Sequence, residues 1–271
     1  MSRIPFTKAH GALNDFLLSW SHSVPAGADL AELARAICHR NSGIGADGWM
    51  LVNVSGDEAA DGSIRLINSD GSPSEISGNG TRCAAALLMT AKPELRERVR
   101  IRTGAGVKEL VLLDRHDETF LFEMNMGQAS FPEGIRSILP LESGDREVTI
   151  LNVGNPQCAI FVDDFSFDWR AMGTEVETHP HFPDRTNVSF VRAIASDRLE
   201  VRFYERGAGE THSSGTGSTG AAAAARARGL VGDRVAVETP AGPLQIVWKD
   251  SEIHLTGPAE LVAQGEYHWK N

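Results

Sequence analysis

A chain of 271 residues, 41% of them hydrophobic, has the material for two compact domains with cores of their own. Its formal net charge of −10, with no basic cluster to offset it, argues against a nucleic-acid partner. Cys38, Cys83 and Cys158 stand far apart, which fits a reducing compartment and excludes a disulfide framework or a cysteine zinc site. No apolar run reaches membrane-spanning length, and charged and polar residues interrupt Met1–Trp20, so a cytoplasmic protein without a membrane partner is expected.

In chain order, Ile4–Trp20 reads as two strands around a turn within Gly11–Asp15. Asp29–Arg40 has helical spacing at Leu30, Leu33 and Ile37, with Asp29 placed as an N-cap. Gly43–Gly48 is formally G-x-G-x-x-G, but a helix precedes it and a strand, Trp49–Val54, follows. That order is the reverse of a dinucleotide fingerprint, so no nucleotide is expected there. Ser63–Asn68 reads as a strand, residues 84–91 as an Ala-rich helix ending near Pro93, and Val99–Thr103, Val107–Leu113 and Phe120–Met124 as strands. Gln128–Asp145, rich in Gly, Pro and Ser, reads as the crossing between domains. Beyond it, strands are expected at Glu147–Val153 and Ala159–Val162, then a polar loop, then Asn187–Ala193 and Leu199–Tyr204. Arg234–Glu238, Leu244–Trp248 and Glu252–Thr256 complete the series.

One pattern occurs twice. Ser77–Leu88 (SGNGTRCAAALL) and Ser213–Arg228 (SSGTGSTGAAAAARAR) align Ser77 with Ser214, and the same offset pairs Arg65 with Arg202 and Asn68 with Glu205. Each copy lies downstream of a strand, as expected of similar modules in tandem. A Gly-rich turn opening a helix exposes unpaired N–H groups at the positive end of the helix dipole, and glycine lets an anion approach them. Two such turns suit a small anion such as a carboxylate; the alternative is that the glycines only pack the helices. Gly215, Gly217 and Gly220 also form a G-x-G-x-x-G, with Glu238 at the end of a later strand. Here the turn lies about ten residues beyond its strand and lacks the Lys-Ser/Thr of a phosphate loop, which counts against a nucleotide.

The motifs, taken together, resemble the diaminopimelate epimerase family over essentially the full length. The resemblance is carried in order by HGALNDF (His10–Phe16), GIGADG (Gly43–Gly48), NSDGSPSEISGNGTRC (Asn68–Cys83), GNPQC (Gly154–Cys158), HPHFPDRTNVSF (His179–Phe190) and YERGAGETHSSGTGS (Tyr204–Ser218). It implies an α+β fold of two pseudo-symmetric domains, each a curved, mostly antiparallel sheet around a central helix. One would cover 1–125 with a returning strand at about 263–271, the other 126–262. It also implies a cofactor-independent, metal-free racemase or epimerase acting on a small amino acid, LL- to meso-diaminopimelate in the type reaction, and a homodimer. Asn14, Asn68, Asn155, Asn187, Glu205 and Arg206 would line the pocket and hold the distal end of the substrate. The N–H groups of Gly78, Asn79, Gly215 and Thr216 would hold the carboxylate at the reacting carbon.

The chain departs from the family at its chemistry. The resemblance implies two cysteines as acid and base, one on each face of the α-carbon; Ser77 and Ser214 stand in those positions. A thiol ionises near pH 8.5, whereas a serine hydroxyl needs an adjacent base. Each pKa unit of mismatch costs roughly 1.4 kcal/mol, so an unassisted Ser–Ser pair is expected to be slower by orders of magnitude. The family's Gly-Asn-Pro-His carries a helper histidine where this chain has Gln157, which takes no proton at ordinary pH. Glu205 remains as a catalytic candidate near Ser214, and His212 is a further candidate base, though a loop histidine is more commonly just solvated. An engineered serine pair, a natural isomerase with altered or weakened chemistry, and a silent amino-acid binder are the three readings this leaves; only the last two also explain Gln157. His179 and His181 could pair on a metal but lack a third ligand, so a loop role is expected. Cys83 and Cys158 are expected to be packing residues.

Overall fold

The computed structural model describes residues 2–55, 58–95 and 97–269. The chain divides into two compact units, Met1–Met124 with Gly257–Asn271, and Asn125–Thr256.

In the first unit, strands Ser2–Gly11 and Asn14–Trp20 form a hairpin whose two turn residues, Ala12 and Leu13, have φ of 50° and 59°. Neither is a glycine, so the turn stores about 1 kcal/mol or more of strain per residue directly beside Asn14. Helix α1 (Leu30–Cys38) follows; Asp29 caps it by accepting from the N–H groups of Ala31 and Glu32, and Leu33, Ala34 and Ile37 bury its inner face. It delivers the chain to Gly48–Val54, parallel to Asn14–Trp20, and Gly62–Asn68 returns antiparallel. After the two-residue strand Pro73–Ser74 comes α2 (Gly78–Ala91). Strand Arg98–Thr103 then runs parallel to Gly62–Asn68, followed antiparallel by Gly106–His116 and Thr119–Gly127. The final strand, Glu252–Trp269, pairs with both Thr119–Gly127 and Ser2–Gly11, so the pairings of the long strands close into a circuit.

The second unit repeats this order. Hairpin Arg146–Asn152 and Pro156–Phe161 leads through α3 (Trp169–Glu177) to Asn187–Ala195, parallel to Pro156–Phe161. Arg198–Glu205 returns antiparallel, the short strand Gly209–Thr211 pairs with it, and α4 (Gly215–Ala227) follows. Arg234–Thr239 runs parallel to Arg198–Glu205, then Gly242–Lys249 and the start of Glu252–Trp269 add antiparallel strands. The strand pattern is therefore mostly antiparallel in both units, with a central helix in each.

Two sequence expectations are corrected. The polar loop after Val162 contains α3: Asp168 caps it by accepting from the N–H of Ala171, and Trp169 and Val176 bury one face. The first Ala-rich helix starts at Gly78 rather than residue 84, and Gly78–Met89 is buried throughout. Small residues make this possible. Ala84–Ala86 and Ala221–Ala225 are at most 4% exposed, because a helix enclosed by sheet has room for little beyond a methyl group on most sides. The Gln128–Asp145 segment also carries a short strand, Ser137–Leu139, antiparallel to Arg146–Asn152.

Candidate active site

Each central helix begins at one of the duplicated serines. Ser77 caps α2, its Oγ accepting the Gly80 N–H at 3.1 Å; Ser214 caps α4, its Oγ accepting the Gly217 N–H at 3.0 Å. Both have extended backbone, with φ of −126° and −134°, as N-cap residues require. The N–H groups of the first turn are left for other partners, so each helix start is a local positive pole.

In the first unit, Asn79 Nδ2 donates to Asn14 Oδ1 at 3.2 Å, and Asn14 Nδ2 donates to Asp47 Oδ2 at 2.8 Å. Arg40 Nη2 reaches Asp15 Oδ1 at 2.9 Å and Asp47 Oδ1 at 2.7 Å, while Lys8 Nζ lies 2.8 Å from Asp15 Oδ2. Burial works against ionisation of Asp15, but its hydrogen bonds to Arg40 and Lys8 win and hold its carboxyl below the usual range. Asp47, desolvated by burial and facing the Asp15 carboxylate, is pushed up instead. Arg82, one turn into α2, is fully buried; Nη2 donates to Asn79 Oδ1 at 2.6 Å and Nε to the Pro258 carbonyl at 3.0 Å. Burial lowers its pKa to about 10. A desolvated cation is thus set beneath the α2 start, clamping the side chain of Asn79. Asn68 stands apart from this chain, donating from Nδ2 to Ser72 Oγ at 3.0 Å.

In the second unit, Ser214 Oγ also donates to Glu205 Oε2 at 2.8 Å, and Thr211 Oγ1 donates to Glu205 Oε1 at 2.6 Å. Asn155 Nδ2 donates to Thr216 Oγ1 at 3.2 Å, and Gln157 Nε2 donates to Asn155 Oδ1 at 2.7 Å. Asn155, Gln157, Ser214, Gly215 and Thr216 are all buried. Asn187 is committed to the main chain: Nδ2 donates to the Pro156 carbonyl and Oδ1 accepts the Arg206 N–H at 3.1 Å. Arg206 Nη1 donates to the Asp184 carbonyl at 3.3 Å.

In the second unit, Thr211, Glu205 and Ser214 thus form one hydrogen-bonded chain and Gln157, Asn155 and Thr216 another; in the first, Asn79, Asn14 and Asp47 are linked, while Ser77 bonds the Gly80 N–H. Thr211 was not singled out from sequence, because its link to Glu205 depends on register: Phe203 stands opposite Thr211 and Glu205 opposite Gly209, a diagonal relation within side-chain reach. His212 is exposed. His179 Nε2 contacts the Pro140 carbonyl and His181 Nε2 contacts Glu133, and no group of three potential metal ligands occurs among the described residues. Cys83 and Cys158 are fully buried, and desolvation pushes each thiol up to about 12. No helix is long and apolar enough to cross a membrane among the described residues.

Each unit is a sheet wrapped around a serine-capped, glycine-started helix, and solved structures share this two-unit fold. A hydroxyproline epimerase from Agrobacterium vitis shares it with a TM-score of 0.77 and 16% identity, over 97% of this chain and 92% of that one. A Bacillus anthracis phenazine biosynthesis protein of the PhzF family shares it with a TM-score of 0.68 and 16% identity, over 98% and 99%. In sequence, residues 6–132 and 149–262 match the family model described as diaminopimelate epimerase. The diaminopimelate epimerase of Pelotomaculum thermopropionicum is 38% identical over 98% of this chain and 99% of its own length. That of Microcystis aeruginosa is 39% identical over the same shares. The chain belongs to the diaminopimelate epimerase family.

Proposed function

We propose that this protein is a cofactor-independent isomerase acting at the α-carbon of an amino acid, with LL-diaminopimelate converted to the meso form as its reaction. Ser77 and Ser214 occupy the acid/base positions, and Glu205 is the base behind Ser214. The observation that carries the reading is the Ser214–Glu205 hydrogen bond of 2.8 Å, which supplies the neighbouring base a serine needs. The N–H groups of Gly78, Asn79, Gly215 and Thr216 bind the α-carboxylate. When the α-proton leaves, negative charge spreads into that carboxylate, and helix-start N–H groups stabilise it where it develops. Asn14, Asn68, Asn155, Asn187 and Arg206 are assigned to the distal end of the substrate. A cytoplasmic homodimer belongs to the same proposal.

The test is conversion of LL- to meso-diaminopimelate, followed by chiral chromatography. Conversion that falls about a hundredfold or more in Glu205→Gln supports the assignment. The contrasting reading is a silent amino-acid binder, favoured by Ser77, whose hydroxyl contacts no titratable side chain among the described residues. A ligand-induced rise in melting temperature without any conversion would establish that reading instead.

A further inference from the structure

The internal repeat allows the two serines to be compared position by position, and they are not equivalent. Ser214 Oγ has a carboxylate at 2.8 Å, and that carboxylate is held from its other oxygen by Thr211 at 2.6 Å. The repeat puts Asn68 where the second module has Glu205, and Asn68 donates to Ser72 Oγ at 3.0 Å rather than to Ser77. Among the described residues, Ser77 Oγ has only the Gly80 N–H as partner. An amide in place of a carboxylate takes no proton at ordinary pH.

We infer that proton transfer is one-sided: it is fast through Ser214 and Glu205, positioned by Thr211, and slow through Ser77 on the opposite face in either direction. This rests on the proposed epimerase reading and adds a direction to it. In the abstraction step the Cα–H bond breaks and its electron pair stays on the substrate, delocalised into the carboxylate. Ser214 Oγ takes the proton as its own hydroxyl proton passes to Glu205 Oε2, so the serine is regenerated and Glu205 becomes neutral. Return of a proton by the same pair restores the starting stereoisomer. Donation by the Ser77 hydroxyl gives the epimer, after which solvent reprotonates Ser77 and removes the proton from Glu205. Thr211 is a positioning residue, keeping one carboxylate oxygen occupied so that the other faces Ser214.

One-sidedness leaves a mark that total activity cannot reveal. For the stereoisomer whose α-hydrogen faces Ser214, reversal outruns passage to the epimer. In D2O the Ser214–Glu205 pair exchanges its protons with solvent before returning one, so deuterium accumulates in recovered substrate before product appears. For the other stereoisomer, Ser77 abstracts only in the rare state in which it has lost its hydroxyl proton to solvent and Glu205 has taken up a solvent deuteron; rapid delivery from the Ser214 side follows, so deuterium appears first in the product.

The experiment incubates the full-length protein separately with LL- and meso-diaminopimelate in D2O. Early time points are separated by chiral chromatography and the label in each stereoisomer is read by mass spectrometry. The expected result is label ahead of conversion, by about tenfold or more, from one stereoisomer and not the other. Glu205→Gln, which keeps the shape and the contacts to Ser214 and Thr211, should lower that exchange about a hundredfold or more. Thr211→Val should lower the exchange rate with little change in KM, and Thr211→Ser should restore it. Equal label-to-conversion ratios from both stereoisomers, with conversion intact, would overturn the one-sided assignment and leave the epimerase reading standing. No exchange and no conversion from either would overturn both.

Discussion

The glycines at the third helix-start position of the two repeats, Gly80 and Gly217, meet different surroundings, and alanine substitution separates them. A Cβ on Gly217 would lie 2.8 Å from Phe203 Cδ1 and 2.9 Å from both Cβ and Oγ of Ser214. Phe203 is 1% exposed, so neither neighbour has space to retreat. Overpacking of this kind costs about 1–3 kcal/mol, and exchanging Gly for Ala in a helix recovers about 1 kcal/mol. Gly217→Ala should therefore destabilise the protein by up to about 2 kcal/mol. It should also push the Ser214 hydroxyl off Glu205; a misplacement of about 1 Å at a reacting group can cost on the order of a hundredfold in rate. On Gly80, the nearest atom to a new Cβ is Met50 Cε at 2.5 Å, the free end of a flexible side chain, with Phe16 Cζ next at 3.3 Å. Met50 is also buried, but only the end of its flexible side chain has to shift, so Gly80→Ala should destabilise less than Gly217→Ala. Urea unfolding midpoints of the two variants, with α-proton exchange rates alongside, provide the comparison. A Gly217→Ala protein as stable and active as the parent would refute the close-approach reasoning, as would a larger loss in Gly80→Ala.

Two further outcomes follow from the site. Burial pushes the thiols of Cys38, Cys83 and Cys158 up to about 12. At pH 8 only about one thiol in ten thousand is then ionised, so native protein should resist iodoacetamide and label in denaturant, read by mass spectrometry; labelling of native Cys83 within minutes would contradict this. Gln157→His introduces a base at the family's histidine position and should raise the epimerisation rate about a hundredfold. Because only neutral imidazole accepts a proton, that gain should vanish as pH falls below about 6.5; an unchanged rate with no new limb in the pH profile would contradict the assigned role.

Much of the fold was legible because its signals are local. Asp29 and the Leu30, Leu33, Ile37 spacing mark α1 without tertiary information, and the repeated Ser-Gly-x-Gly marks both helix starts. Helix α3 was missed although Asp168 supplies a cap and Trp169, Met172 and Val176 a stripe. With nine residues and Gly173 in its middle, its periodicity is short and its propensity weak. Gly173 is explained only by packing, since a Cβ there would lie 2.7 Å from the Tyr204 ring. The beginning of α2 was placed late for a related reason: its glycines and asparagine disfavour helix, and enclosure by the sheet overrides them. Within the site, Glu205 beside Ser214 followed from motif order. Thr211 and the Gln157–Asn155–Thr216 chain needed strand register and helix placement, which no single motif encodes.

Mass-spectrometric detection of deuterium at the α-carbon of diaminopimelate, read in both the LL and meso forms after incubation of the LL form with the purified protein in D2O, bears most directly on the catalytic role of the serine positions. Catalysis by Ser214 with Glu205 predicts a one-mass-unit gain, absent in Ser214→Ala. No gain with the parent protein, alongside saturable binding of the same compound, would mean that the protein binds the amino acid without transferring its proton.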